Sequence, residues 1–188
     1  MEKVILFDCF GVIVDELDTF WQTHTFGSYD PQEYRKYICR LGDSGQIDEN
    51  ELHNRLSEIT GVSAQQTRKE WYQYVVPHND VIQFIKELKQ KYKIYLLSNA
   101  TSTYVRNVLK NNGIENLFCK LYVSADILCA KPDREYFEYV INDLNIPPQN
   151  TVFIDDNPLN IAAAKELGIN TILYKNLDEL KLQLKKSL

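Results

Sequence analysis

Five short, mostly apolar runs punctuate the chain at Val4–Phe7, Ile94–Leu97, Lys120–Val123, Thr151–Ile154 and Thr171–Leu173. None alternates strictly with polar residues, so each reads as a strand covered on both faces. Between the later runs, apolar residues recur at helical spacing. Residues 80–91 carry Val81, Phe84, Ile85 and Leu88, and residues 133–144 carry Phe137, Val140, Ile141 and Leu144. A helix over 102–112 stops at Gly113, and another opens at Asn157-Pro158 and closes at Gly168. Strand and helix alternate, which predicts an α/β body around a parallel sheet. In such a sheet, ligands belong at the carboxyl ends of the strands.

Residues 15–76 break this rhythm. They hold no convincing strand, but three stretches place a capping side chain three residues ahead of Glu or Gln: Asp30 before Glu33, Asp48 before Glu51, and Ser63 before Gln66. This reads as a small helical module inserted after the first strand. Trp21, Phe26, Tyr34, Tyr37, Trp71, Tyr72 and Tyr74 make it rich in rings. Most are expected to pack within the module, with one or two lining a pocket. The lysines between Lys181 and Lys186 read as the solvated face of a terminal helix.

With 188 residues the chain can bury one substantial core with a small appended unit. A net charge of −5 disfavours nucleic acid or an anionic membrane surface as partner. No run approaches the length of a membrane span, and the start, Met1-Glu2-Lys3, does not lead into a secretory signal. Cys9, Cys39, Cys119 and Cys129 form no C-x-x-C pair and no zinc spacing with His24, His53 or His78. Four reduced thiols in a cytoplasmic protein are the expectation, with Cys9, beside Asp8, the one candidate for redox sensitivity.

The chemistry gathers where the strands end. The first ends on Asp8, the second on Ser98-Asn99, and the fourth on Asp155-Asp156-Asn157. The third runs into Ser124-Ala125-Asp126, with Lys131-Pro132 in the loop beyond. Parallel strands bring these ends to one edge. Carboxylates, a hydroxyl, an amide and a lysine suit metal-assisted phosphoryl transfer: the anions hold Mg²⁺, and lysine and helix N-terminal amides offset phosphate charge. An aspartate there can also attack phosphorus. Two carboxylates in series are costly unless a cation offsets their repulsion. Asn157 and Asn160 read as capping and support for the acidic loop.

In this order, FDCFGVIVD, LLSNAT, AKPD and FIDDNPLN resemble the four motifs of the haloacid-dehalogenase-like hydrolase superfamily, with a small helical cap between the first and second. The resemblance implies a Rossmann-like sheet of order 5-4-1-2-3, a core of residues 1–14 and 77–188, and a cap of residues 15–76. It implies Asp8 as nucleophile, Ser98 and the Asn99 backbone as phosphoryl ligands, and Lys131 bridging them to Asp8. Mg²⁺ would sit on Asp8, the Phe10 carbonyl oxygen and Asp156, with Asp155 direct or through water. The substrate would be a small phosphorylated metabolite.

One position departs from the pattern. In phosphatase branches the residue two beyond the nucleophile is usually a second aspartate that protonates the leaving group and then activates water; here it is Phe10. Its main-chain groups can still serve metal and phosphate, so acid–base function is lost and binding spared. Three readings follow. The first is a phosphatase for easier leaving groups, or one in which Asp15, Glu16 or His24 stands in, since general acid catalysis is worth about two to four orders of magnitude. The α-D-glucose-1-phosphate phosphatase branch looks most similar, with a G-x-V-I-V-D-like opening and a D-D-N fourth motif. The second is a metal-free 2-haloacid dehalogenase, whose first motif also carries an aromatic. The third is a binder of phosphorylated metabolites that has lost turnover.

Overall fold

Every residue of Val4–Phe7 (β1) is buried, and alternate side chains feed two separate cores. Val4 and Leu6 join Leu97, Phe137 and Phe153 on one face, while Ile5 and Phe7 join Ile94, Leu96 and Ile154 on the other. A strand apolar on both sides needs helices on both sides, which is why the run shows no alternation. The structure, a computed structural model, describes residues 3–187. Met1 and Glu2, at the start expected not to form a secretory signal, lie outside them.

After β1 come α1 (Asp18–Thr23), α2 (Pro31–Asp43), α3 (Glu49–Thr60), α4 (Ala64–Gln73) and α5 (Asn79–Leu88). Then follow β2 (Lys93–Ser98), α6 (Ser102–Asn111), β3 (Leu121–Val123) and α7 (Ser124–Ile127). The chain finishes with α8 (Arg134–Leu144), β4 (Thr151–Asp155), α9 (Pro158–Glu166), β5 (Asn170–Leu173) and α10 (Leu177–Ser187). All the strand pairings are parallel, in the order β3-β2-β1-β4-β5, the expected order read from the opposite edge. Helices α5, α6 and α10 cover one face through Ile85, Val108 and Leu184; α8 and α9 cover the other through Phe137 and Ala164. Among the described residues no helix is long and apolar enough to cross a membrane.

The three predicted caps all form. Asp30 accepts from the amides of Gln32 and Glu33, Asp48 from that of Glu51, and Ser63 from that of Gln66. Helix α1 was missed because Leu17, at its N-cap, offers no capping side chain. Trp21, Phe26, Tyr34 and Trp71 are buried as a ring cluster, whereas Tyr37 is exposed.

The chain enters and leaves α1–α4 by two strands of backbone lying side by side. Val14 and Pro77 form an antiparallel bridge, Asp15 N donates to Val76 O at 2.9 Å, and His78 N donates to Ile13 O at 2.9 Å. The His78 ring completes the junction, with Nδ1 2.8 Å from Val12 O and Nε2 2.6 Å from an Asp15 carboxylate oxygen. Both partners only accept, so only the imidazolium donates to both. Burial works against that charge, but the Asp15 and Val12 hydrogen bonds, with the Asp15 and Asp80 charges, hold His78 above its usual value. A raised folded-state value contributes stability that is complete below the unfolded value near 6.5 and is lost as pH rises through the folded one. Asp15→Asn is therefore expected to lower the melting temperature at about pH 6 and hardly at all at about pH 9. Equal losses at both pH values in thermal melts would refute the charged pair.

Candidate active site

Phe7 pairs with Leu96 on one side and Ile154 on the other, so Asp8, Ser98 and Asp155 emerge at the same sheet edge. Lys131 reaches this edge from the loop after α7. Its Nζ lies 2.7 Å from Asp8 Oδ1 and 2.7 Å from Asp155 Oδ2, and donates to Leu97 O at 3.1 Å. All three charged groups are buried. Burial disfavours the Lys131 charge, but Asp155 and Asp8 outweigh it and push the ammonium upward, so it stays cationic.

Three carboxylates face this one ammonium. Oxygens of Asp8, Asp155 and Asp156 lie within 4.8 Å of one another. Burial and the Asp155 charge push Asp8 well up against the pull of Lys131, and burial, Asp155 and Glu16 push Asp156 up to about 6. One ammonium is therefore not enough to hold all three as carboxylates, and their ionised forms call for a further positive charge. Hard oxygen donors in that state suit a divalent cation such as Mg²⁺. The loop geometry is built for this closeness: Gly11 has φ +81°, and a Cβ there would stand 2.4 Å from Asp156 Oδ2. Glycine is needed at position 11 both for the left-handed backbone and for the space.

The sequence-predicted residues divide between the wall of a cavity and the layer beneath it. Asp8, Phe10, Asn99, Lys131 and Asp156 line a cavity of about 210 Å³. Ser98 and Asp155 do not line it and are fully buried. Ser98 Oγ has no hydrogen-bond partner among the described residues. Asp155 is saturated from within, accepting from Lys131, from the Asn157 amide at 2.8 Å and from Asn160 Nδ2 at 3.0 Å through both oxygens. Asn157 caps α9 through the Leu159 amide. The Asn99 side chain has a task its position in the sequence did not suggest. It donates to Lys131 O at 2.7 Å and accepts from Lys131 N at 2.9 Å, clamping the lysine loop to the end of β2. Asp126 stands away from the cavity, in an exposed pair with Arg106 at 2.7 Å. Ser124 lies behind it, with Oγ accepting from Ala100 N at 3.1 Å.

Phe10 stacks on Tyr104 with centroids 5.5 Å apart and planes 2° apart. Tyr104 meets Trp71 edge-on at 5.4 Å and donates its hydroxyl to Trp71 O at 3.3 Å. A run of rings thus joins the loop after β1 to α4. Trp21 and Trp71 line the cavity, and each carries a buried indole N–H without a partner among the described residues. Glu16 also lines it, ion-paired with Arg35, which binds Asp18 at 2.6 Å. The other two candidates for a stand-in acid are elsewhere. Asp15 pairs with His78 outside this cavity, and His24 pairs with Glu70 at 3.0 Å. Cys9 is fully buried, and burial with the Asp8 charge pushes its thiol up, which leaves it unreactive; none of the four cysteines is in a disulfide.

A family model of haloacid dehalogenase-like hydrolases matches residues 5–174. The chain belongs to that family. Among curated members, this hydrolase is 30% identical to a D-ribitol-5-phosphate phosphatase of Bacteroides thetaiotaomicron, over 94% of this chain and 93% of that protein. It is 26% identical to the pyrophosphatase PpaX of Halalkalibacterium halodurans, covering 90% of this chain and 81% of that one. A crystal structure of a family enzyme from B. thetaiotaomicron superposes with a TM-score of 0.83 at 29% identity, covering 97% of this chain and 98% of that one. Another structure of that enzyme, in complex with magnesium and inorganic phosphate, gives 0.80 at 29% identity, over 93% and 95% of the two chains. A dehalogenase structure at 16% identity, with a TM-score of 0.70 over 90% of this chain and 83% of that one, shares the fold.

Proposed function

We propose that this family member is a Mg²⁺-dependent phosphatase of small monoesters, sugar and polyol phosphates among them, acting through an aspartyl-phosphate on Asp8. The observation that carries the proposal is the meeting of Asp8, Asp156 and Lys131 at the floor of one cavity. Asp8 attacks phosphorus, the bond to the leaving oxygen breaks, and water then hydrolyses the aspartyl-phosphate to free phosphate and Asp8. Lys131 holds Asp8 in place and offsets phosphoryl charge, with Asp155 and the Asn99 amide fixing its position. The start of α6, where Thr101 lines the cavity and makes no side-chain cap, leaves donors for phosphoryl oxygens. The orphaned Ser98 hydroxyl, in the layer beneath, would add another to a phosphoryl group that reaches it. Asp8, the Phe10 carbonyl oxygen and Asp156 would hold Mg²⁺, with Asp155 behind them; the ion supplies positive charge for the transferring phosphoryl group.

Residues 15–76 serve as the cap and residues 1–14 and 77–188 as the core, with the paired backbone at Val14–Asp15 and Val76–His78 as the hinge. The cavity is of metabolite size. The unpartnered indole N–H groups of Trp21 and Trp71 and the Glu16–Arg35 pair suit a hydroxylated substrate, as in the relative named for D-ribitol 5-phosphate. The test is a panel of phosphate esters assayed with and without Mg²⁺, alongside chloride release from 2-chloropropionate. Mg²⁺-dependent phosphate release and no chloride are expected. Chloride release without metal would replace the proposal with the dehalogenase reading. Binding of beryllium fluoride with Mg²⁺ but no turnover of any ester would replace it with the binder.

A further inference from the structure

We propose that Asp43, at the last turn of α2, is the proton donor and acceptor that Phe10 cannot be, delivered to the phosphoryl site from the helical insertion. This rests on the phosphatase reading above. The cavity wall leaves few other candidates. Glu16 is ion-paired to Arg35, Lys131 is engaged with two carboxylates, and Asp156 belongs to the acidic cluster beside Asp8. Burial raises both the Cys39 thiol and the Tyr104 phenol, and Tyr104 already donates to Trp71 O. Asp43 lines the same cavity, and its carboxylate has no hydrogen-bond or ion-pair partner among the described residues.

Residues on either side of it meet the rest of the protein at three points. A Cβ on Gly42 would stand 2.9 Å from Thr101 Cγ2, so the turn lies directly against the loop that follows Ser98-Asn99. A Cβ on Gly45 would stand 2.6 Å from Ala125 O, at the start of α7. Arg40 reaches Asp133 at 2.5 Å, two residues beyond Lys131. These contacts set the end of α2 against the loops that carry the strand-end groups, with Asp43 lining the cavity they share. Burial raises the Asp43 carboxyl to about 7, against the opposing charges of Lys131 and Arg40, so both protonation states are available near neutrality.

The proton balance closes over two steps. As Asp8 attacks phosphorus and the P–O bond to the substrate breaks, the Asp43 carboxylic acid gives its proton to the departing alkoxide. Water then attacks the aspartyl-phosphate and hands its proton to the Asp43 carboxylate, regenerating the acid as the Asp8–P bond breaks.

The deciding experiment compares wild type, Asp43→Asn and Asp43→Ser on ribitol 5-phosphate and p-nitrophenyl phosphate with Mg²⁺, after circular dichroism confirms folding. kcat/KM covers steps through phosphoryl transfer, where only the basic alkoxide needs a proton. Asp43→Asn is expected to cut kcat/KM about 10²–10⁴-fold on the polyol ester and by less than about threefold on the aryl ester. Slow hydrolysis of the aspartyl-phosphate is expected to appear as a burst of p-nitrophenol equal to the enzyme present. Phe10→Asp in the Asp43→Asn background returns a carboxyl to the same cavity and is expected to recover polyol-ester turnover. Equal losses on both esters, a change confined to KM, or no recovery in the folded double variant would overturn the assignment. Absence of phosphate release by wild type would instead refute the phosphatase reading itself.

Discussion

Asp8→Asn is expected to abolish phosphate release while leaving the protein folded. Loss of an attacking group costs about four orders of magnitude or more in turnover, because the proposed covalent intermediate forms on this carboxylate. The amide is nearly isosteric, and Lys131 keeps its contacts with Asp155 and Leu97 O. Stability should not suffer. A carboxyl whose folded-state value is pushed up by burial and by Asp155 opposes folding once the pH exceeds its unfolded value. Removing its charge relieves that opposition, so the metal-free variant should melt at or above the wild-type temperature. Mg²⁺ should raise the melting temperature of wild type more than that of the variant, since a ligand of the native state stabilises by mass action. Undiminished phosphate release by the folded variant would reject Asp8 as the nucleophile.

Lys131→Met carries the second large effect, on stability as well as turnover. The ammonium sits between Asp8 and Asp155 with all three groups buried. Without it, two carboxylates face each other in a dry environment beside Asp156. Removing one partner from a buried ion pair costs about 3–5 kcal/mol, because the charge left behind has neither water nor a counterion. Denaturant unfolding without metal should show a loss of that size, and Asp155→Asn in the same chain should return part of it. A loss below about 1 kcal/mol would mean that water or the backbone screens these carboxylates.

The two effects point to one design. The lysine proposed to orient Asp8 for attack also makes the acidic cluster tolerable during folding, and the Asn99 clamp ties its loop to β2 by two hydrogen bonds. Catalytic geometry and stability therefore share residues here, so turnover and melting temperature should be measured together for every variant at this edge.

Local chemistry was legible in the chain itself. Uninterrupted apolar runs announced strands buried on two faces, and β1 through β5 sit where those runs lie, with boundaries moved by a residue or so. Asp30, Asp48 and Ser63 marked helix starts because a cap is a contact between near neighbours. Asp8 and the Asp155-Asp156 pair stood out because a carboxylate ending a buried strand conflicts with its surroundings. Helix α1 left no such mark, and the Gly42-Asp43-Ser44-Gly45 stretch left a faint one: glycines around a carboxylate at a helix end signal close approach without naming what approaches.

Tertiary structure decided which of the polar residues share a space. Asn99 and Lys131 are 32 positions apart and meet through two hydrogen bonds; Asp15 and His78 are 63 apart and meet at the junction. Asp43 reaches the cavity because Gly42, in the last turn of α2, packs against Thr101, and Gly45, just beyond the helix, against Ala125. Asp15, Glu16 and His24 looked equivalent along the chain, yet the fold sent only Glu16 to the cavity and paired it there with Arg35. Most of the elements, their parallel arrangement and the strand-end chemistry were readable along the chain, since those follow from near-neighbour preferences and from burial. Partnership among distant side chains depends on how helices dock, which is set by shape and packing summed over the whole molecule.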